Sequence, residues 1–309
     1  MLGRMLLTAS RSDRLRDFVA TAPVTRPVVD RFVAGEELSE AMAAVSALTE
    51  AGLDVTIDHL GEDITEPAQA EANRDAYLAL LAAAEELGLG SRVEVSVKLS
   101  AFGQGLGADG HALALENVRP VAEAASRVGT TVTLDMEDHT TVDSTLDILD
   151  KLRAEHPGTG AVLQSYLFRT EDDCRRLAVE GSRVRLVKGA YREPASVAYQ
   201  DRREVDLAYV RCLKILMAGD GHPMVATHDP RLIAITRELA LVNDRVPGSY
   251  EFQMLYGIRA AEQQRLVEEG ERVRVYVPFG TDWYGYFTRR LAERPANVAF
   301  FLRSFLPSR

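Results

Sequence analysis

Two cysteines in 309 residues are too few for a disulfide framework, and Cys174 and Cys212 show no metal-ligand spacing. No metal is expected. Excess positive charge is missing too: the formal charge of −10 argues against a nucleic-acid groove or an anionic-lipid patch as the surface's main business. Apolar runs such as 77–84 are too short to span a bilayer, and Arg4, Arg11, Arg14 and Arg16 break up any secretory leader. The expected location is the cytoplasm. No linker rich in Pro, Gly or Ser divides the chain, and low-complexity tracts and sequence repeats are absent. With 46% apolar residues the chain can bury one large α/β core.

What is present is alternation. From about Leu48 onward, short β-branched runs at 55–58, 93–99, 131–136, 161–166, 184–188, 224–228, 250–255 and 273–277 read as eight strands. Longer segments rich in Ala, Leu and Glu, such as 111–128, 141–155, 201–217 and 258–269, lie between them and suit crossover helices. An eight-fold βα count predicts an α/β fold of the closed (β/α)8 TIM-barrel type rather than an open Rossmann sheet. Residues 1–45 are expected to form an amino-terminal helical arm, and 46–309 the barrel.

In such a barrel the active site is built at the carboxyl ends of the strands. Here those ends carry reactive residues: Lys98, Asp135 with Glu137 beyond it, Gln164, Arg185 and Lys188, Thr227 and His228, Gln253, and Tyr276. Any one of them is ordinarily a solvated loop edge or a hydrogen-bonded structural residue, so the argument rests on their convergence. After the last strand, Tyr286, Arg289, Arg290 and Glu293 are spaced by three and four, which places them on one side of a helix. Two guanidinium forks side by side suit a small carboxylate, although the same residues could form a solvated face of weak surface ion pairs. Lys98, Arg289 and Arg290 against Asp135 and Glu293 leave room for one added carboxylate.

Two further segments bear on a cofactor. In Val184–Tyr191 the fifth strand ends in Lys188-Gly189-Ala190, a small end that admits a flat ring, or else an ordinary glycine turn. Gly105-Leu-Gly107-Ala-Asp-Gly110 matches G-x-G-x-x-G, but Ser100-Ala-Phe-Gly-Gln separates it from the strand end, so a mobile loop is expected there rather than a Rossmann phosphate turn.

Taken in order, Val95-Ser-Val-Lys-Leu-Ser, Leu134-Asp-Met-Glu, Leu163-Gln-Ser-Tyr, Arg185-Leu-Val-Lys-Gly-Ala-Tyr, Ala226-Thr-His-Asp, Tyr250-Glu-Phe-Gln-Met-Leu and Tyr286-Phe-Thr-Arg-Arg-Leu-Ala-Glu resemble the proline dehydrogenases, FAD-dependent barrels of proline breakdown. The resemblance runs from about Asp54 to the end, and short length without an aldehyde dehydrogenase region is similar to the monofunctional bacterial form. It implies oxidation of L-proline to Δ1-pyrroline-5-carboxylate with FAD, hydride passing from proline C5 to flavin N5. Arg289, Arg290 and Lys98 would hold the substrate carboxylate. Asp135 would stand on the ring-nitrogen side or hold Tyr276, with Glu293 in the same clamp. Leu186, Ala190, Tyr191, Tyr276 and Tyr286 would wall the ring, Tyr286 crowding an added hydroxyl. Arg185 would lie near flavin N5, and Met136, Gln164, Val187, Lys188, Gly189, Thr227, His228 and Gln253 would be further flavin contacts. A membrane quinone is the implied electron acceptor, making the chain a peripheral visitor to the inner face of the cell membrane, with the Arg-rich first helix a weak anchor.

Two other classes fit parts of the pattern. A Schiff-base lyase could use Lys98 or Lys188 as nucleophile, and a non-catalytic amino-acid-binding module would need the clamp without an oxidant.

Overall fold

The structure, a computed structural model, describes residues 29–62 and 64–293, with side chains described through residue 288. Eight parallel strands close into a barrel in chain order: β1 Asp54–His59, β2 Val93–Val97, β3 Val132–Leu134, β4 Gly160–Gln164, β5 Arg183–Val187, β6 His222–Ala226, β7 Glu251–Leu255 and β8 Val273–Phe279. Closure comes from β1 and β8, which pair from Asp54 with Arg274 to His59 with Phe279.

Helix α1, Leu38–Glu50, precedes β1 and packs on β1 and β8. The expected boundary at 45 falls inside it, while residues 1–28 of the expected arm lie outside the described residues. Crossover helices follow each strand: α2 Pro67–Glu86, α3 Gly110–Arg127, α4 Val142–Glu155, α5 Thr170–Leu177, α6 Arg202–Ala218, α7 Pro230–Val242, α8 Ala260–Glu268 and α9 Trp283–Glu293. Local chemistry starts several of them. In α2 a reciprocal Glu66/Gln69 capping box precedes Pro67, a residue whose fixed φ suits the first turn. Asp201 accepts from the backbone N–H groups of Arg203 and Glu204 at the start of α6, and Asp229 does the same for Arg231 in α7.

The strands read Asp-Val-Thr-Ile-Asp and Glu-Val-Ser-Val, and the period of two sorts their side chains. Val55, Ile57, Val93, Val95 and Val97 are fully buried in the main apolar cluster shared with the helices. Their alternates meet across the lumen, where layers of branched apolar side chains would be usual. Thr56 donates to Glu94 at 2.7 Å, and Arg274, 1% exposed, pairs with Glu251 at 2.8 Å and with Asp54 at 3.4 Å. The lumen is a paired ionic core.

Several strands end earlier than their hydrophobic pattern suggests. β2 stops at Val97, where a 3-10 turn, Leu99–Phe102, takes over the backbone, and β3 stops at Leu134, with Asp135 N still donating to the Val97 carbonyl at 2.9 Å. A second apolar cluster lies under α9. Trp283, Tyr284, Tyr286 and Phe287 pack with Val29, Phe32, Val33 and Leu60, and against Ile258 and Tyr276, so α9 sits by the carboxyl ends of β1, β7 and β8.

Candidate active site

Lys98, one residue past β2, is the hub. Its Nζ donates to Asp58 Oδ2 at 2.7 Å and to the Tyr276 hydroxyl at 3.4 Å, with Glu62 at 3.3 Å and Asp135 at 3.7 Å. Burial opposes the ammonium, but Asp58 and the other neighbours outweigh it and hold the Lys98 pKa well above its usual range. For Asp58, 1% exposed, burial dominates and lifts the carboxyl to about 6 against the pull of Lys98. Its other oxygen accepts from Tyr77 OH at 3.3 Å.

Asp135 joins this hub to Arg185. It accepts from Tyr276 OH at 2.7 Å through Oδ2, and from Ser96 Oγ at 2.7 Å and Arg185 Nη1 at 2.8 Å through Oδ1. Burial, then Asp135, pushes the Tyr276 phenol well above its usual pKa, so it stays a donor. Arg185 is 3% exposed, lies over the Tyr276 ring at 5.3 Å, and also donates to Ser96 Oγ at 2.8 Å, Glu94 at 3.2 Å and Gln253 Oε1 at 2.5 Å. Gln253 in turn donates to Glu251 at 2.7 Å.

Along the rim, Gln164 is buried and donates to the Glu137 carbonyl at 2.7 Å, while the Glu137 carboxylate accepts from Ser100 N at 3.0 Å and Oγ at 2.7 Å. Met136 is buried beside them. Lys188 pairs with Asp206 at 2.5 Å and approaches Asp229 at 3.7 Å. Thr227 accepts from Asp229 N at 3.1 Å, and His228 Nε2 accepts from Leu255 N at 3.0 Å, which leaves the ring proton on Nδ1. Gly189 has φ +124°, and a Cβ there would lie 2.4 Å from the Tyr166 ring, so the close approach of that ring needs glycine. Val187 and Tyr191 are half-buried, Ala190 is exposed, and Leu186 is buried in the main apolar cluster with its carbonyl accepting from Tyr209 OH at 3.1 Å. Tyr286 is buried under α9. The backbone of α9 carries Arg289, Arg290 and Glu293, whose side chains lie outside the described part.

The structure therefore brings Lys98, Asp135, Arg185, Gln253 and Tyr276 into one network. It adds Asp58, Glu62, Ser96 and Glu94, which the search of strand ends passed over. The balance of three cations against two anions expected at the mouth changes accordingly, because Asp58 and Glu62 already face Lys98. The alternation in 54–58 and 94–98 carried that signal, since polar residues at every second position of a strand enclosed in a barrel must face the lumen. At the start of the loop holding Gly105 and Gly107, Gln104 Nε2 donates to Ser144 Oγ at 3.0 Å and Thr145 Oγ1 at 3.1 Å on α4.

Fold and site together define a (β/α)8 barrel enzyme with a charged, hydrogen-bonded mouth at its strand carboxyl ends. Comparison with known proteins narrows this class. Residues 41–303 match the family model described as proline dehydrogenase. The chain is 40% identical to proline dehydrogenase 1 of Bacillus subtilis (strain 168), covering 99% of both chains, and 44% identical to proline dehydrogenase of Deinococcus radiodurans, covering 90% of each. Among solved structures it resembles proline utilization A from Bdellovibrio bacteriovorus inactivated by N-propargylglycine, with TM-score 0.80 and 26% identity over 91% of this chain and 34% of that one. The chain belongs to the proline dehydrogenase family, whose members are flavin-dependent oxidoreductases.

Proposed function

We propose that this chain oxidises L-proline to Δ1-pyrroline-5-carboxylate with FAD, the first step of proline catabolism. The observation that carries the reading is the single network of Lys98, Tyr276, Asp135 and Arg185, drawn from four strands to one end of a barrel of this family. A lyase nucleophile needs a lowered lysine pKa; Lys98 is shifted the other way and Lys188 is held by Asp206, which disfavours the Schiff-base reading. A binding module without an oxidant has no need of the family's redox machinery.

Proline is a small acid with one reactive C–N bond, so the protein's task is to pin the carboxylate and orient the ring. Lys98, always charged at its raised pKa, offers one cation at the mouth; Arg289 and Arg290, carried by α9, are assigned the rest of the clamp. Charge-assisted hydrogen bonds contribute roughly 1.5–3 kcal/mol each, enough for three cations to fix the ring's orientation. Tyr276, held by Asp135, walls the pocket together with Tyr286, Tyr191 and Ala190, while Leu186, expected there from the resemblance, packs into the main apolar cluster on the side of β5 opposite Arg185. Glu293 balances the paired arginines.

The donor set fits a flavin with a phosphate-bearing tail. Arg185 supplies a fixed cation inside the mouth, and Lys188, part-exposed beside Gly189, supplies one at the rim. Met136, Gln164, Val187, Thr227, His228 and Gln253 are assigned as the remaining contacts. A flavin held by these residues would supply the two-electron acceptor for the hydride of proline C5, and we assign a membrane quinone as the acceptor that would reoxidise it, reached by peripheral contact from the cytoplasm.

The direct test is the visible spectrum of the purified protein before and after L-proline, together with proline-dependent dye reduction. A yellow protein bleached by proline supports the reading. Colourless protein that gains no FAD on mixing, or equal activity in the wild type and Arg290→Ala, overturns it.

A further inference from the structure

Glu94 stands where the ionic core of the lumen meets the mouth. It is 1% exposed, and its two oxygens are divided between neighbours: Oε1 accepts from Thr56 Oγ1 at 2.7 Å and Arg185 Nη2 at 3.2 Å, while Oε2 accepts from Arg183 Nη2 at 2.8 Å. Arg274 Nε lies 4.0 Å away. Burial works against its ionisation, but Arg274 and Arg183 outweigh that and hold the carboxyl below its usual range. Glu94 is therefore a permanent buried anion shared between a guanidinium of the floor and the guanidinium of the mouth.

We infer that Glu94 is a positioning residue that fixes the orientation of Arg185 and sets how much of its positive charge reaches a bound flavin. Two features single it out. Arg185 is also tied by Asp135, but Asp135 is committed to Tyr276 and Ser96 and faces Lys98, so its charge is spread over the mouth. Gln253 holds Arg185 Nε as a neutral acceptor and brings no charge of its own. Gln253 reaches Glu251 and the arginines below only through its neutral amide, whereas the Glu94 carboxylate itself bonds both Arg185 and Arg183, so the floor of the barrel and the mouth share one charge balance. A buried charge in a low-dielectric interior is felt across several ångströms, which makes that balance effective at the mouth.

The inference rests on the proposed flavin site, and it is tested on flavin-loaded protein by the midpoint potential of the bound flavin. Glu94→Gln keeps the shape and removes the anion, leaving Arg185 less compensated. The reduced, more negative flavin is then favoured: the potential rises, by on the order of tenfold in the reduction equilibrium, or about 30 mV for a two-electron couple. Arg183→Gln acts in the opposite sense, because Glu94 then compensates Arg185 more fully, and the potential falls. Glu94→Asp returns the potential toward wild type. Opposite shifts in the two Gln variants support the inference. Unchanged potentials, or shifts of one sign, overturn it while leaving the flavin assignment intact. Should Glu94→Gln not fold, the Arg183→Gln shift alone decides, downward for the inference and unchanged or upward against it. Wild type that binds no flavin defeats the site reading itself, a separate outcome.

Discussion

Lys98 carries one charge and meets three carboxylates and a phenol, so its environment is set by competition rather than by one partner. Asp58 is the nearest and the most buried, and its folded-state pKa of about 6 lies above the ordinary 3.8. The folded state thus holds the Asp58 proton more tightly than the unfolded state does. The associated stability is fully present below about pH 4 and is lost as pH rises through 6, a swing of about 3 kcal/mol at most. In Asp58→Asn that titration is gone, so the variant should gain on the wild type as pH rises from 4 to 7 in denaturant unfolding. A constant difference across that range would show that Asp58 does not titrate there. Arg274 makes the opposite kind of point. At 1% exposed it satisfies Glu251 and Asp54, and Arg274→Met strands a carboxylate in the lumen at a cost of about 3–5 kcal/mol. Adding Glu251→Leu should restore part of that loss, a recovery read from the same unfolding curves.

At the scale of elements, the loop after β5 depends on Gly189. Its φ of +124° is one that side-chain-bearing residues rarely adopt, and a Cβ would meet the Tyr166 ring. Gly189→Ala should lower stability by at least about 2 kcal/mol and weaken flavin binding, measured by thermal unfolding and flavin titration. Tyr166→Ala in the same chain should relieve the contact but not the backbone strain, so rescue is partial. Helix α9 is seated by Trp283, which is buried, edges onto Tyr284 and Phe287, and donates through Nε1 to Glu36 at 2.9 Å. Trp283→Ala should cost about 3–5 kcal/mol and raise the KM for proline, because the same helix carries Arg289 and Arg290. A raised KM at unchanged stability would contradict the packing role.

For the molecule as a whole, the closed barrel removes every sheet edge, and its lumen holds Glu94, Arg185, Glu251 and Arg274 away from water as paired charges. Among the described residues, no helix is long and apolar enough to cross a membrane. The proposed transfer of electrons to a membrane quinone by peripheral contact is testable with vesicles. Proline-dependent reduction of a quinone should rise severalfold when vesicles carry it, compared with detergent-free solution. No change on adding vesicles would count against the assigned acceptor.

The eight strands and their order were legible because β-branched runs repeat between amphipathic segments, and that local pattern leaves few topologies open. Strand limits were less legible: Lys98, Asp135 and Thr227 follow directly on apolar strand residues yet lie beyond the strands, since a strand ends where its backbone leaves the ladder and local periodicity does not show that. Lys98 and Asp135 could be marked from their places just past strand ends, Arg185, Gln253 and Tyr276 as polar residues within strands, and the family resemblance from their order. Asp58, Glu62 and Glu94 could not be paired with them, because residues dozens of positions apart become neighbours only when the cylinder closes. The sequence by itself thus determined the fold class, the family and which residue types line the mouth, since these follow from local periodicity and motif order. Only the tertiary structure decided which charge meets which, because Coulomb energy in a buried lumen depends on distances that no linear spacing contains.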